Sequence, residues 1–585
     1  MASRSYPRCV RNCSPPEVPF QLTQTYDRGW LTSIPGFASS ISYHPTGRVA
    51  EILHANGQRF TEQPDPHGMA RPAGLRLDQP NGSRVDWQLG PFEFDGSGNL
   101  TRVGGWFGYG RYDRVSRWTG ATMEFSPRGF VYDVAAAYDD FGNLTGLSRG
   151  TDWIETPTVP ATNRLKYGSY DASGNLTAWH GQTFGFDPLG RLTERCTDGQ
   201  VGAGACPGAR WAYAYGPDEG RVLSYRFAPG TREWIWTDQP VRRAGEQPYS
   251  IWTLRDEGGR VLHERRFAWN AVGAEMEDYV WRGEGVLAAF LRPQGTVRHF
   301  ALDHLGSVRV VSDGSGALLE HRRYEPYGHD PFGPQLDERR QWAGHERDLG
   351  DLASPEDDLD YMQARFYSAT LGRFLSVDPL GGTREAPQSW NRYAYTRGNP
   401  LVRVDPHGKR DKRTDADRDL LEDRDVLIAA AEILEQSNLP APLSERQEAG
   451  AVVASEGQGD YSIDGGVVSQ GRVNTVSLRL RMLADGSIVT VSGKPLAATM
   501  HSHPGVGRVT IDGKRLMLWG GAASAADREQ ARTTGKPVYI LNSHLSMLRV
   551  DAATGRATTI LNGKDYRAYI ERATMERSAA LEETP

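Results

Sequence analysis

One seven-residue unit recurs along the first three hundred residues and constrains the fold more than any other feature. It reads FDGSGNL at 94–100, YDDFGNL at 138–144, YDASGNL at 170–176 and FDPLGRL at 186–192, with looser copies at 43–49, 255–261, 269–275 and 302–308. Each copy is the turn of a β-hairpin. An aromatic residue ends one strand, Asp bonds the backbone of its own turn, Gly takes a positive φ, and an aliphatic residue starts the next strand. Recurrence on this scale implies many short strands laid side by side in a repeat architecture. The 66 Gly, 24 Tyr and 15 Trp fit short aromatic strands joined by tight turns.

At 585 residues the chain exceeds what one hydrophobic core holds, so several domains are expected. A net charge of −6 provides no global basic field, and nucleic acid and anionic membranes are not expected as partners. Apolar runs such as 427–434 fall well short of the roughly 20 residues that span a bilayer. The first residues lack the apolar stretch of a secretory signal peptide. Cys9 and Cys13 have near-zinc spacing without a second ligand pair nearby. Cys196 and Cys206 flank a glycine-rich loop and are either a disulfide formed after export or two free thiols.

The repeated units resemble the YD repeats of RHS proteins. The resemblance sharpens over 297–408, where VRHFALDHLGSVRVVSDGSGALLEHRRYEPYG, YMQARFYSATLGRFLSVDP and NRYAYTRGNPLVRVDPHG follow in the order of an RHS-associated core. It implies a mainly β, hollow spiral shell (1–296) closed by the core (297–408), with a variable C-terminal toxin beyond. It also implies aspartate-dependent self-cleavage just past the last D-P-x-G. Two such segments occur, at Asp378–Gly381 and Asp405–Gly408, so a cut near Gly408–Lys409 is expected, with Asp378 and Asp405 as its acids. Paired carboxylates share a proton, leaving one as acid and the other as base, but Asp-Pro also opens turns unaided. Lys409 departs from the Leu usual at that position.

After Gly408 the composition changes to a charged linker running into a helix (409–440), and then to alternating strands and turns of a small α/β domain (441–585). Within it, PLAATMHSHPGVGRV places His501 and His503 two apart on a strand, hence on one face. Ser524-x-x-Asp527 opens a helix, a spacing that also suits a capping box. A strand-opening Glu448, then H-S-H-P, S-x-x-D and G-K-P-V-Y-I, is similar to the JAB/MPN metalloproteases. That resemblance implies Zn²⁺ held by His501, His503 and Asp527, water activated by Glu448, and an oxyanion stabilised by Ser524. Glu445 and Glu456 are alternatives to Glu448. The segment VTIDGKRLMLWGG, between the second His and the Ser, reads as an inserted hairpin.

Together these resemblances imply an RHS effector, made in the bacterial cytoplasm and delivered to a target cell. Its shell would enclose a zinc-dependent peptidase, isopeptidase or deamidase acting on a target-cell protein. An immunity protein, and a secretion carrier or a capping plug, are the expected partners. The alternatives are a surface or adhesion shell with an inactive tail, and a toxin of the nuclease class.

Overall fold

A computed structural model describes residues 2–6, 20–413 and 424–573, excluding 199–205, 207–209, 228–248, 269–274, 349–357, 437–448, 470–479, 483–487, 504–506, 519–524, 551–556, 563–568 and some shorter turns. The copy of the repeat at 269–275 therefore lies largely outside the described residues, as do Cys9 and Cys13. The protein is mainly β, as expected. Strands from Ala38–Tyr43 to Val85–Leu89 form a five-stranded sheet, Phe92–Phe94 to Asp152–Glu155 a seven-stranded one, and Ser169–Tyr170 to Leu318–His321 a thirteen-stranded one. In each sheet, strands adjacent in sequence are adjacent in space and antiparallel, as hairpin turns require.

The turns are built as their sequence dictates. Asp95 Oδ1 accepts from the Ser97 and Asn99 amides at 2.9 and 2.8 Å, while its Oδ2 takes Asn99 Nδ2 at 2.9 Å. Asp139 repeats this with Phe141 and Asn143, and Gly142 supplies the left-handed φ of +75°. Where Arg replaces Asn, its guanidinium takes the second carboxylate oxygen, as in Asp187–Arg191 at 2.7 Å.

The segment 391–401 lies across a row of these turns and ties them together. Asn399 Nδ2 donates to Asn99 Oδ1 and Ser116 O at 2.8 Å each, Asn391 Nδ2 to Asn143 Oδ1 at 2.7 Å, and Tyr393 OH to Gly174 O at 2.6 Å. Trp106, Trp118, Tyr324, Tyr327 and Trp342 fill the apolar core shared by early and late strands. Beside it runs a buried ion network in which Arg221, Arg339 and Arg340 meet Glu264, Glu346 and Asp348. Cys196 and Cys206 are joined as a disulfide, which closes one of the two readings left open by their spacing.

A separate apolar cluster gathers residues 426–573. Helix Arg424–Gln436 contributes Val426, Leu427, Ala430 and Ile433 to the same cluster as Ala451, Val453, Ala498 and Met500 of the neighbouring strands. The main sheet here runs in the order Asp460–Ile463, Ala449–Gly457, Leu496–His503, Val538–Asn542, Ser546–Val550, Ala557–Asn562. Leu496–His503 and Val538–Asn542 pair in parallel, which requires a crossover, and helix Ala525–Thr534 lies in it. Strands Gly507–Ile511 and Lys514–Leu518 form the separate hairpin expected between His503 and Ser524. Arg549 Nη2 reaches Thr46 O at 3.3 Å, and Met69 packs on the C-terminal cluster, so this unit touches the five-stranded sheet region. Among the described residues no helix is long and apolar enough to cross a membrane.

Candidate functional site

Two places concentrate the chemistry that the sequence singles out. The first lies on strand Leu496–His503. Ala498 and Met500 face the apolar cluster, so the alternate residues Thr499 and His501 share the opposite face. Helix Ala525–Thr534 covers that face with side chains three apart, which project together. Gln530 Nε2 donates to Thr499 Oγ1 at 3.3 Å, and Asp527 Oδ1 stands 3.0 Å from His501 Nε2. Both members of this His–Asp pair are buried, at 3% and 5% exposure. Strand Ala449–Gly457 lies on the other side, antiparallel, with Gly450 opposite His501 and the Ala449 amide donating to Ser502 Oγ at 3.2 Å.

The structure thus brings two of the three expected metal ligands together. Only the backbone of His503 and of Glu456 is described, and Glu448, Glu445 and Ser524 lie outside the described residues. Among the described residues no group of three or more His, Cys, Asp or Glu converges. The chemistry of the pair nevertheless fits zinc. Bonds of about 2.0–2.2 Å in a tetrahedral site place neighbouring ligand atoms about 3.3–3.6 Å apart, a little more than the 3.0 Å between Nε2 and Oδ1, which is also the length of a direct His–Asp hydrogen bond.

The second place is the end of the core. Antiparallel strands Leu359–Met362 and Arg365–Ser368 form a tight hairpin, and the start of its second strand carries Arg365, a residue that the sequence reading missed. The buried guanidinium is stacked 3.5 Å from the Phe374 ring centroid. Its Nε donates to Gly408 O at 2.5 Å, while Nη2 lies 2.7 Å from Asp378 Oδ2 and 3.2 Å from Asp405 Oδ2. Both expected aspartates therefore meet one cation, at the carbonyl of the expected cleavage bond. On the other side of that bond, the Lys409 amide donates to Asp405 Oδ1 at 3.0 Å, and the Arg410 amide to the same oxygen at 3.2 Å.

Burial pushes the Asp405 carboxyl up to about 6, against the pull of Arg365 and with the help of the Asp411 and Asp378 charges. Burial also raises Asp378, which is the more exposed of the two, with Arg365 opposing. Gly408 has a φ of +67°, and a Cβ there would lie 2.3 Å from Met362 O, so only glycine fits. A carbonyl polarised by a guanidinium, a carboxyl at the leaving nitrogen and a second carboxylate nearby can together hydrolyse a peptide bond. The sharing of one arginine by two D-P-x-G segments was not legible in the sequence. Arg365 stands in YMQARFY, where nothing local marks it as different from other strand arginines.

No protein-family model matches the chain. The chain is 25% identical over 283 residues to the tRNA3(Ser)-specific nuclease WapA of Bacillus spizizenii, a match covering 46% of this chain and 11% of that protein. It is 24% identical over 432 residues to the probable deoxyribonuclease RhsB of Dickeya dadantii, covering 66% and 25%. The relatives are RHS-type toxin proteins. In the crystal structure of TcdB2-TccC3-TEV the same fold recurs, with a TM-score of 0.52 and 20% identity over 66% of this chain and 20% of that one. The chain thus matches between about a tenth and a quarter of the length of these proteins. The expectation that nucleic acid is not a partner is overturned, because RNA and DNA nucleases stand among the RHS-type relatives. The net charge of −6 was a poor guide, since it averages over a large shell and says little about one domain.

Proposed function

We propose that the chain is an RHS-type toxin whose β-shell carries an enzymatic C-terminal domain, delivered to a target cell and separated from the shell by self-cleavage at Gly408–Lys409. The observation that carries the cleavage reading is the placement of Arg365 on the Gly408 carbonyl with Asp405 at the Lys409 amide. Hydrolysis there adds one water. Asp378 takes a proton from the water as it attacks the Gly408 carbon, Arg365 stabilises the oxyanion, and Asp405 gives its proton to the Lys409 nitrogen as the C–N bond breaks. Gly408 is left as a carboxylic acid, which ionises by returning its proton to Asp405, and Lys409 as a free amine, with the proton on Asp378 passing to solvent. Incubating the purified chain and sequencing the new N-terminus tests this; a chain that stays whole, or is cut elsewhere, refutes it.

For the C-terminal domain we favour a JAB/MPN-like, zinc-dependent hydrolase acting on peptide, isopeptide or amide bonds. His501 and Asp527, buried 3.0 Å apart, support it, and His503 would complete the ligand set. When bound, zinc would lower the pKa of a water to about 7. Glu448 would serve as the base and Ser524 as an oxyanion donor. The names of the WapA and RhsB relatives favour the nuclease class as the second reading. Metal content separates the two when combined with products: about one zinc per chain, lost in H501Q/D527N, with new peptide termini in a treated proteome and intact nucleic acid, supports the hydrolase. Cleaved tRNA or DNA with an unchanged proteome supports the nuclease. An immunity protein that occludes the site, and a carrier or plug for the shell, are the partners this reading requires.

A further inference from the structure

The chain just downstream of Gly408 is held by strand pairing and by ion pairs. Lys412–Arg413 pairs antiparallel with Arg403–Val404, Val404 opposite Lys412 and Arg403 opposite Arg413, so Gly408–Lys409 lies in the turn of a small hairpin. At the far side of that turn, Asp411 is clasped by two arginines. Its Oδ1 takes Arg397 Nε at 2.9 Å and its Oδ2 takes Arg403 Nη1 at 2.8 Å, with 13% of the side chain exposed. Arg397 approaches from a turn in which its own φ is +54°. Lys412 Nζ pairs with the exposed Glu284, in the turn between strands Glu275–Arg282 and Gly285–Arg292 of the thirteen-stranded sheet. Nothing in the hydrolytic step uses Asp411, yet it is a partly buried anion through which the departing segment is anchored.

We propose that Asp411 is a positioning residue of the self-cleavage site: it pins the segment beyond the scissile bond so that the Lys409 nitrogen stays on Asp405. The assignment rests on the reading of Gly408–Lys409 as the cleaved bond. The charged groups around it are Arg397 and Arg403 in contact, and Asp405, Asp378 and Arg365 beyond them, with Lys412, Glu284 and His407 at the hairpin's edge. Burial works against the charge of Asp411, but the two arginines outweigh it and hold its carboxyl below the ordinary value, so it is an anion wherever Asp405 titrates. A fixed anion close to Asp405 raises the pH at which Asp405 gives up its proton, in line with the contribution of Asp411 to the upward shift of Asp405.

The experiment follows cleavage of the full chain against pH in wild type, D405N, D411N and R397Q. Cleavage falls as pH rises through the Asp405 value, because the acid must be protonated. In D411N that alkaline limb is expected to move to lower pH, with the rate at the optimum reduced at least tenfold. In R397Q, which leaves the Asp411 charge less compensated, the limb is expected to move to higher pH. Loss of packing alone would not shift the two limbs in opposite directions. Limbs that move together, or D411N cut with the wild-type rate and profile, overturn the role of Asp411 while wild-type cleavage and its loss in D405N leave the cleavage site standing. A wild-type chain that is never cut overturns both.

Discussion

Arg365 does at one point what two D-P-x-G segments cannot do alone: it holds two carboxylates and a carbonyl oxygen within a single fork of nitrogens. Lysine supplies one charged point in place of that fork. R365K is therefore expected to slow self-cleavage about 10²–10³-fold, the usual effect of losing an oxyanion donor, as read from the ratio of whole to cut chain over time. D405N, lacking the acid, is expected to lose about 10²–10⁴-fold. G408A tests the backbone instead. Its Cβ would lie 2.3 Å from Met362 O, so the carbonyl must move off Arg365, and cleavage should fall although no titrating group has changed. The aspartates were legible because D-P-x-G is a local string. Arg365 was not, because a β-hairpin and the return of the chain 43 residues later bring it to Gly408.

At the level of turns and strands, the repeated unit showed its whole construction in advance: aromatic, capping Asp, left-handed Gly, aliphatic restart. Asp139 illustrates what the cap contributes, since it accepts from Phe141 N, Asn143 N, Asn143 Nδ2 and Thr158 Oγ1 at 2.8–3.0 Å. D139A leaves those donors without their acceptor and should cost about 1–3 kcal/mol locally, visible as faster amide hydrogen exchange across 139–145 with distant strands unaffected. What no repeat could announce is the strap at 391–401. Asn391 and Asn399 bond turns 248 and 300 residues earlier in the chain, and nothing in NRYAYTRGNP marks which turns those are. The strand–helix pairing that joins His501 to Asp527 lies between these cases. The two-residue and three-residue periodicities were readable, and their convergence needed the parallel crossover between Leu496–His503 and Val538–Asn542.

For the molecule as a whole, the joint between the five-stranded and thirteen-stranded sheets is one place where the structure responds to acid. His54, from the first sheet, and His299, from the second, meet there edge to face at 5.2 Å, both almost fully buried. Around them Asn56 donates to Ser312 Oγ and Asp313 O, and Gln58 donates to Asp86 and Gly316 O, so the joint is polar but uncharged at the rings. Burial lowers His54 to about 3, with His299 adding to the shift, and lowers His299 to about 4 against the opposing charge of Asp313. The unfolded chain takes up these two protons near pH 6.5, whereas the folded one resists them. The stability they confer is therefore complete above pH 6.5 and is lost as the pH falls toward 4 and then 3. At about 1.4 kcal/mol per pH unit for each group, the pair should cost the fold about 3–4 kcal/mol between pH 7 and pH 5. Urea unfolding followed by tryptophan fluorescence at the two pH values measures the loss. H299Q keeps a polar side chain but cannot take up a proton, so the loss between pH 7 and pH 5 should shrink by about 1.5–2 kcal/mol whatever its stability at pH 7. If wild type and H299Q lose equal stability between pH 7 and pH 5, the acid response resides elsewhere, and His345, buried and held at about 3, is the next group to replace.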